Sequence, residues 1–528
     1  MIKRGNMTDA EYIAMLENEI KKRDKKIDKL EVENECLRKD NHIYLEALIL
    51  SKHRIFGKSS EHTEDEGQQS FFNEAEVEYT EKTEEPVSKT VKGYTRKSPK
   101  TKRDELIRNI ETEIINCTIP DEEQICPRCG SQMKVIGKKY IREEVELIPA
   151  RLIVKKYYSN TYSCKKCEKK NMPVFLHGLV PAPVLPHSLA SASTVSWVIY
   201  QKYVNAVPLY RQEKDWERLG YSLSRTTMAN WVIRCSEDYF SRFVARLKAE
   251  MLKEEVLHCD ETYVRVLKEQ GVSQNSKQYM WVYRTGKHCQ KQIVIYRYDK
   301  SRSGDVPQKY LGEYDGYIHT DGYAGYNKLT KVTHCNCLAH LRRKFHEAIV
   351  VDSKESIAVT AREFCDKLFA IEAELDKLTT EERFNERLMQ EKSVFDAFWS
   401  WAEKIAPTIL PKTQLGKAFE YAFKRREYLG NYFKNGDCAV SNNLAENAIR
   451  PFTVGRKNWL FSDTPKGAEA SADIYSIAET AKANGLDVFK YFELLLTVLP
   501  SMEFLTNPDI LNELLPWDES VQKICKVL

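Results

Sequence analysis

The chain has 528 residues, 14 cysteines and a formal net charge of +4. This length exceeds what one hydrophobic core serves, so we expect several domains. No apolar run is long enough to span a membrane, and the first residues lack a secretory signal pattern. We therefore expect a cytoplasmic protein, without membrane association, whose cysteines are mostly reduced.

A polar stretch without proline, from residue 7 to 52, predicts a long helix. One seam of a seven-residue repeat holds Ile13, Ile20, Ile27, Asn34, Asn41 and Leu48, and the other holds Leu16, Leu30, Leu37 and Tyr44. This pattern is typical of a parallel coiled coil whose buried asparagines fix the register. We interpret residues 1–58 as a helix that forms a homodimer or higher oligomer. A single amphipathic helix packed on its own domain is the alternative.

Residues 59–104 contain an acidic block and then a basic block, with few apolar groups, and are interpreted as a disordered linker. Two CxxC pairs follow in the segment 105–180. Four thiolates from two turns match the tetrahedral ligand set of one structural zinc ion. The sequence predicts a zinc ribbon with the ligands Cys126, Cys129, Cys164 and Cys167. Four incidental cysteines are the alternative.

The segment 181–250 has the proportions of a helix-turn-helix. Pro208 begins a helix that runs through Arg218, a glycine-containing turn follows, and Ser224 caps a second helix from Arg225 to Cys235. The N-terminal half of such a second helix meets base edges in DNA. The candidate DNA-contacting residues are Arg225, Thr226, Thr227 and Asn230. A helical hairpin without DNA binding is the alternative.

The segments 251–337 and 437–464 predict a catalytic α/β core. Strands are predicted at 256–266, 278–285, 292–299, 316–321 and 332–337, with a short helix near 305–311. These elements predict a mixed sheet covered by helices. Residues 338–436 are helical in pattern and are interpreted as an insertion domain. Residues 465–528 are predicted to form a C-terminal helical region.

Three acidic residues of this core predict a metal site. Asp260 lies within a predicted strand, Asp321 ends another, and Glu446 lies on a short helix. Carboxylates suit magnesium or manganese, and two such ions, with Asp260 bridging them, would support phosphoryl transfer. The alternative is that the aspartates pair with arginine or lysine and Glu446 is a solvated helix residue. Glu261 faces the other side of the strand, which gives it a structural or supporting role.

Several basic and polar residues near these acids are candidates for DNA contact. Arg450 lies one helical turn after Glu446, and a predicted basic and aromatic loop from Pro451 to Phe461 follows it. The full set of candidates is Arg342, Arg343, Asn442, Asn443, Arg450, Arg456, Lys457 and Trp459. The two asparagines are also candidate helix caps. A second metal is conceivable at Cys335, Cys337, His340 and His346, but core packing and a DNA-facing basic helix are preferred, because these residues straddle a strand-to-helix change.

Taken together, these motifs resemble the DDE transposases of the insertion sequence 66 type. The resemblance includes the two CxxC pairs and covers nearly the whole chain in order. The other matching segments are Arg54–Glu61, Pro208–Arg211 with Gly220, His258–Thr262, Thr320–Tyr323, Ala339–Phe345, Asn442–Pro451 and Gly455–Phe461. One departure is Ser441, where the family often has aspartate. Because the glutamate of the triad is present, we expect no loss of chemistry from this change.

The resemblance implies a multidomain α/β protein with a ribonuclease-H-like mixed-sheet core, a large all-helical insertion, and a preceding coiled coil, zinc ribbon and helix-turn-helix. It also implies that Asp260, Asp321 and Glu446 bind magnesium and that the protein cuts and joins its element's own DNA. The implied partners are terminal inverted repeats, target DNA and small accessory proteins encoded alongside. A bacterial protein associated with the nucleoid when bound to DNA is expected.

Two other functions share most of these features. A DNA-binding regulator would keep the coiled coil, zinc ribbon and helix-turn-helix but lack working acids. A structure-specific nuclease would cleave DNA without joining it to a target. Metal binding by the three acids separates the transposase from the regulator, and covalent joining of a donor end separates it from the nuclease.

Overall fold

The computed structural model describes residues 13–38 in part, 152–163, 175–177, 179–271, 277–349 and 356–527. The predicted linker and the zinc ligands Cys126, Cys129, Cys164 and Cys167 lie outside these residues. Residues 17–31 are helical, as the heptad pattern predicts. The seam residues Ile13, Ile20, Ile27 and Leu30 are each more than half exposed in the single chain.

The helix-turn-helix segment has the helices that the sequence predicts. A short antiparallel pair, β1 (Thr161–Ser163) and β2 (Phe175–His177), precedes it. The helices are α1 (Ala192–Ile199), continued by a π-helical turn Tyr200–Val204, then α2 (Leu209–Arg218), α3 (Arg225–Cys235) and α4 (Ser241–Met251). Ser224 caps α3, since its Oγ accepts a hydrogen bond from the Thr227 amide at 3.1 Å.

A five-stranded mixed sheet forms the centre of the core. Its strands are β3 (Val256–Val264), β4 (Gln278–Thr285), β5 (Val294–Asp299), β6 (Tyr317–Thr320) and β7 (Thr333–Asn336), with α5 (Asp305–Leu311) before β6. The order across the sheet is β5-β4-β3-β6-β7. β4 is antiparallel to β3 and β5, and β6 and β7 run parallel to β3. The strands lie within three residues of their predicted bounds.

The C-terminal helices complete the core of this sheet. They are α13 (Pro465–Ala483), α14 (Val488–Val498) and α15 (Glu519–Cys525). On the edge strand β5, the amides of Val294 and Tyr296 donate to Thr480 Oγ1 and Ser476 Oγ of α13, at 3.0 and 2.8 Å. These hydroxyls satisfy edge amides that would otherwise be open to pairing with another chain. Among the described residues, no helix is long and apolar enough to cross a membrane.

The segment between β7 and the helix that begins at Asn443 is helical and has its own hydrophobic core. Its helices are α6 (Leu338–Glu347), α7 (Ile357–Leu375), α8 (Thr380–Glu386), α9 (Lys392–Ile405), α10 (Gln414–Lys424) and α11 (Arg426–Gly430). Two buried arginines hold the chain where it returns to the sheet. Arg383 donates to the Gly436 carbonyl at 2.8 Å, and Arg387 to the Cys438 carbonyl at 2.6 Å.

The predicted loop from Pro451 to Phe461 is wrong, because helix α12 runs unbroken from Asn443 to Trp459 with Pro451 inside it. Packing outweighs the hydrogen bond that proline removes. Trp459 lies against Tyr203 and Tyr475, with ring centroids 6.2 and 6.5 Å apart. Gly455 permits this approach, since a Cβ there would lie 2.0 Å from Trp459 Cη2. The helix is therefore fastened to the core along its C-terminal half.

Candidate active site

The parallel pairing of β3 and β6 brings two predicted acids together. His258 pairs with His319, and the same offset two residues further along places Asp260 beside Asp321 at the ends of neighbouring strands. Residues two apart on a strand face the same side, so both aspartates share the face of the stacked His258 and His319 rings, whose centroids are 4.4 Å apart. The sequence does not specify this register.

The turn after β6 fixes Asp321. Its Oδ1 accepts a hydrogen bond from the Tyr323 amide at 2.8 Å. Gly322 adopts φ +87°, which favours glycine, and a Cβ there would lie 2.4 Å from Arg425 Nε. From the insertion, the Tyr421 hydroxyl donates to the Asp321 carbonyl at 3.2 Å. The helical insertion thus helps to hold the second acid.

Glu446 enters the site on the first turn of α12, and Asn442 anchors that turn. Asn442 is fully buried, its Oδ1 lies 3.0 Å from His258 Nδ1, and its Nδ2 donates to the Cys259 carbonyl at 2.9 Å. Its side chain makes no capping hydrogen bond to α12. Asn442 therefore occupies the predicted N-cap position and caps α12 through its backbone carbonyl, which accepts from the Ala445 and Glu446 amides, while its buried side chain binds β3 and not the surface.

His340 and Cys337 also lie beside Glu446. His340 Nδ1 is 3.7 Å from Glu446 Oε1, and these ligand atoms lie within 4.8 Å of one another and of Cys337 Sγ. Burial lowers the pKa of His340, and the Glu446 carboxylate opposes that change. The interpretation of His340 as part of a DNA-facing helix missed this contact. The signal in the sequence was the spacing of His340 three residues after Cys337, which directly follows β7.

Asp260 is largely buried close to three other acids. Burial raises the pKa of Asp260 well above its usual range, and the charges of Glu261, Asp321 and Glu446 raise it further. A hydrogen bond from the Glu261 amide to Oδ1, at 2.8 Å, acts in the opposite direction. This interaction between the charges shows that the three predicted acids converge in one region.

The three acids supply the oxygen ligands that a hard divalent cation takes, but among the described residues the compact ligand group that contains Glu446 is completed by Cys337 and His340 and not by the aspartates. Within the described part of the chain, Glu446 Oε1 is buried without a hydrogen-bond partner. The charges that act on the Asp260 carboxyl include those of the other acids Glu261, Asp321 and Glu446. Carboxylate oxygens left in this state are the ligands that magnesium and manganese take.

Glu261 lies on the opposite face from the triad and is neutralised there. It forms an ion pair with Arg302 at 2.7 Å and accepts a hydrogen bond from the Tyr326 hydroxyl at 2.8 Å. Burial raises the pKa of Glu261, while Arg302 and Tyr326 lower it. The structure thus agrees with the supporting role that the strand alternation predicts.

The candidate DNA contacts near the triad differ in how they are placed. Asn443, Arg343 and Lys457 are exposed, and Arg450 is partly buried. Arg342 is instead paired with Asp366 of α7. Arg456 stacks on Tyr263 at 3.9 Å and donates to Thr262 Oγ1 at 3.0 Å, and Trp459 packs in the core. The prediction that Arg456 and Trp459 form an open loop for a DNA end is therefore wrong.

The residues of α3 keep the placement that DNA contact requires. Arg225, Thr226 and Asn230 are exposed, and Thr227 is partly buried beneath the Ser224 cap.

The residues considered for a second metal do not form a single site. Cys337 and His340 lie beside Glu446, Cys335 belongs to a different group, and His346 is exposed.

Comparison with known families matches most of the chain. The model described as "Transposase IS66 family" matches residues 187–470, which is more than half of the chain. The "zinc-finger binding domain of transposase IS66" matches residues 123–168, a range that contains the four predicted zinc ligands. The "IS66 C-terminal element" matches residues 476–517, and "Transposase C of IS166 homeodomain" matches residues 44–113.

Two curated relatives come from Sinorhizobium fredii (strain NBRC 101917 / NGR234). Uncharacterized protein y4hP is 26% identical over 454 residues, which cover 81% of this chain and 78% of the relative. Uncharacterized protein y4qI is 28% identical over 424 residues, which cover 75% and 74%. The resemblance found in the sequence motifs is confirmed by the family matches. The chain belongs to the IS66 family of DNA-binding transposases.

Proposed function

We propose that this protein binds the terminal inverted repeats of its own insertion sequence and catalyses metal-dependent DNA strand cleavage and strand transfer. The observation that supports the proposal is the burial of Asp260 among the charges of Glu261, Asp321 and Glu446, which raise its pKa. Burying several carboxylates together destabilises the fold. If the carboxylates bind cations, the favourable binding free energy offsets this cost.

Asp260, Asp321 and Glu446 would hold two magnesium or manganese ions, with Asp260 shared. Bound in this way, such ions activate an attacking hydroxyl and stabilise the leaving oxygen of a phosphodiester. The chain's own contribution is to fix the carboxylates. Asn442 holds the first turn of α12 against β3, and the Gly322 turn fixes Asp321. Burial lowers the pKa of His340 beside Glu446, which favours its neutral form.

The sheet supports assignment to the ribonuclease-H-like class. Four of its strands run in one direction and only β4 runs against them, with Asp260 on the central strand and Asp321 directly after its parallel neighbour. The helical insertion enters after β7 and returns to α12, which carries Glu446. Asp260 and Glu446 then lie on regular elements of the core and Asp321 directly follows one, a placement that supports precise phosphoryl transfer.

We assign DNA contact to two exposed surfaces. The first is the N-terminal half of α3, with Arg225, Thr226 and Asn230, supported by Thr227 at its cap. These side chains have the exposure that readout of base edges needs. The second lies near the triad and consists of Arg343, Asn443, Arg450 and Lys457. Contacts to phosphates there would position the scissile bond without reading its sequence.

Joining two DNA ends calls for a multimer. The exposed seam residues Ile13, Ile20, Ile27 and Leu30 support a coiled coil between two copies, because apolar side chains at heptad spacing need a partner. A structural zinc ion at Cys126, Cys129, Cys164 and Cys167 completes the proposal, supported by the family match over residues 123–168.

The test is cleavage and joining of labelled DNA that carries the sequences flanking the coding region. Replacing Asp260, Asp321 or Glu446 by alanine is expected to abolish cleavage in magnesium while DNA binding by gel shift is unchanged. Glu313→Ala is the matched control, because Glu313 is an acid paired only with the surface residue Lys331 in the described chain. Cleavage retained in all three variants would reject the assignment. Cleavage without joining would indicate a nuclease.

A further inference from the structure

A second cluster of metal-binding side chains lies beneath the active site. His319 of β6 and Cys335 of β7 are direct partners across the parallel pair, so their side chains share one face of the sheet. Cys438 reaches the same place from the segment that returns from the helical insertion. The His319 ring nitrogen and the two Sγ atoms lie within 4.8 Å of one another. All three residues are at most 1% exposed.

The imidazole of His319 is poorly satisfied in this environment. Its Nε2 accepts one long hydrogen bond from the Ala439 amide, at 3.4 Å, and its Nδ1 is buried without a hydrogen-bond partner among the described residues. An unsatisfied buried polar group costs about 1–3 kcal/mol. Such a group in a native core calls for an explanation.

The neighbouring charges are compatible with a cation. The charge of Arg387 acts on His319 and Cys438, but Arg387 forms an ion pair with Glu372 and directs a further hydrogen bond to the Cys438 carbonyl. Burial raises the pKa of the Cys438 thiol, and a hydrogen bond with Cys335 raises it further. Two thiolates would balance the charge of one divalent ion.

We propose that His319, Cys335 and Cys438 bind one zinc ion at a site separate from both the acidic triad and the CxxC pairs. Two thiolates and an imidazole form a soft donor set that selects zinc over magnesium or calcium. Binding forms two Zn–S bonds and one Zn–N bond, and the two thiol protons pass to solvent. Three protein ligands leave the fourth tetrahedral position to a water molecule.

The position of this ion gives it a structural consequence for the active site. His319 lies on β6, two residues before Asp321, which directly follows that strand. Cys438 lies on the segment that leads into α12. The ion would join β6, β7 and the return from the insertion, which are the elements that place Asp321 and Glu446. This inference does not rest on the proposed transposition chemistry, because zinc content is measured without DNA.

The first experiment compares the zinc content of full-length variants purified with zinc and a reductant. Cys335→Ser and Cys438→Ser are each expected to hold one zinc ion fewer per chain than the parent by elemental analysis. Cys365→Ser is the matched control, since Cys365 is 2% exposed in the same hydrophobic core but belongs to no metal group in the described residues. Equal zinc content in folded parent and variant chains would overturn the proposal.

The second experiment needs no substitution. Crystals of the parent chain grown with zinc are expected to show anomalous density at the zinc edge between His319, Cys335 and Cys438. No density there would overturn the proposal, as would a Cys335–Cys438 disulfide in the chain as purified. If the site holds zinc but DNA is not cleaved, the metal site stands and the proposed function fails.

Discussion

Replacing Asn442 by alanine is expected to destabilise the core and disable the active site together. The Asn442 amide is fully buried and satisfies two groups of β3, His258 Nδ1 at 3.0 Å and the Cys259 carbonyl at 2.9 Å. Truncation leaves both groups buried without a partner. Each such loss costs about 1–3 kcal/mol. The variant should therefore lose roughly 2–5 kcal/mol of unfolding free energy, since the two losses share one site and need not add fully.

The assay is urea unfolding followed by tryptophan fluorescence, with DNA cleavage measured on the same preparations. Asn447→Ala is the control, because Asn447 is exposed on α12 outside the proposed DNA surface and its loss should change stability by less than about 0.5 kcal/mol. We expect Asn442→Ala to lower the unfolding midpoint and to reduce cleavage while DNA binding persists. If Asn442→Ala unfolds within about 0.5 kcal/mol of the parent, the anchoring role is refuted.

Three further predictions concern single side chains. The pKa of Asp260 is raised in the folded state, so the folded state binds the Asp260 proton more tightly than the unfolded state does. With a chelator present, the stability of the parent protein should therefore fall as the pH rises through the folded pKa of Asp260. Asp260→Asn should remove this fall, as measured by melting curves at a series of pH values. Arg456→Ala loses stacking on Tyr263 and should lower unfolding free energy by roughly 1–3 kcal/mol in urea titrations, whereas a DNA-end contact would leave stability unchanged. Arg343→Ala should weaken DNA binding and reduce its salt slope by about 1, and Lys392→Ala, an ion-paired surface control, should change neither.

Local elements were predictable because their signals are local. Ser224 and Pro208 mark the bounds of α2 and α3, and runs of β-branched and aromatic residues mark the strands. The acids were also visible, since Asp260 is an unusual residue for the middle of a strand. These signals need only the neighbouring residues.

Long-range packing was not predictable in the same way. Pro451 signals a helix end, yet α12 continues through it because Trp459 and Gly455 fit against the core. Asn442 looked like a cap or phosphate ligand, and only its distance to His258 shows that it fastens α12 to β3. The grouping of His319 with Cys335 depends on the parallel register of β6 and β7, which short strands do not encode by pattern alone.

The most direct measurement of the central claim is anomalous diffraction from crystals of the protein soaked in manganese. The account predicts manganese bound to carboxylate oxygens of Asp260, Asp321 and Glu446 together, with the density lost in Asp260→Asn. Manganese absent from this edge of the sheet, or bound without Glu446 both with and without DNA, would contradict it.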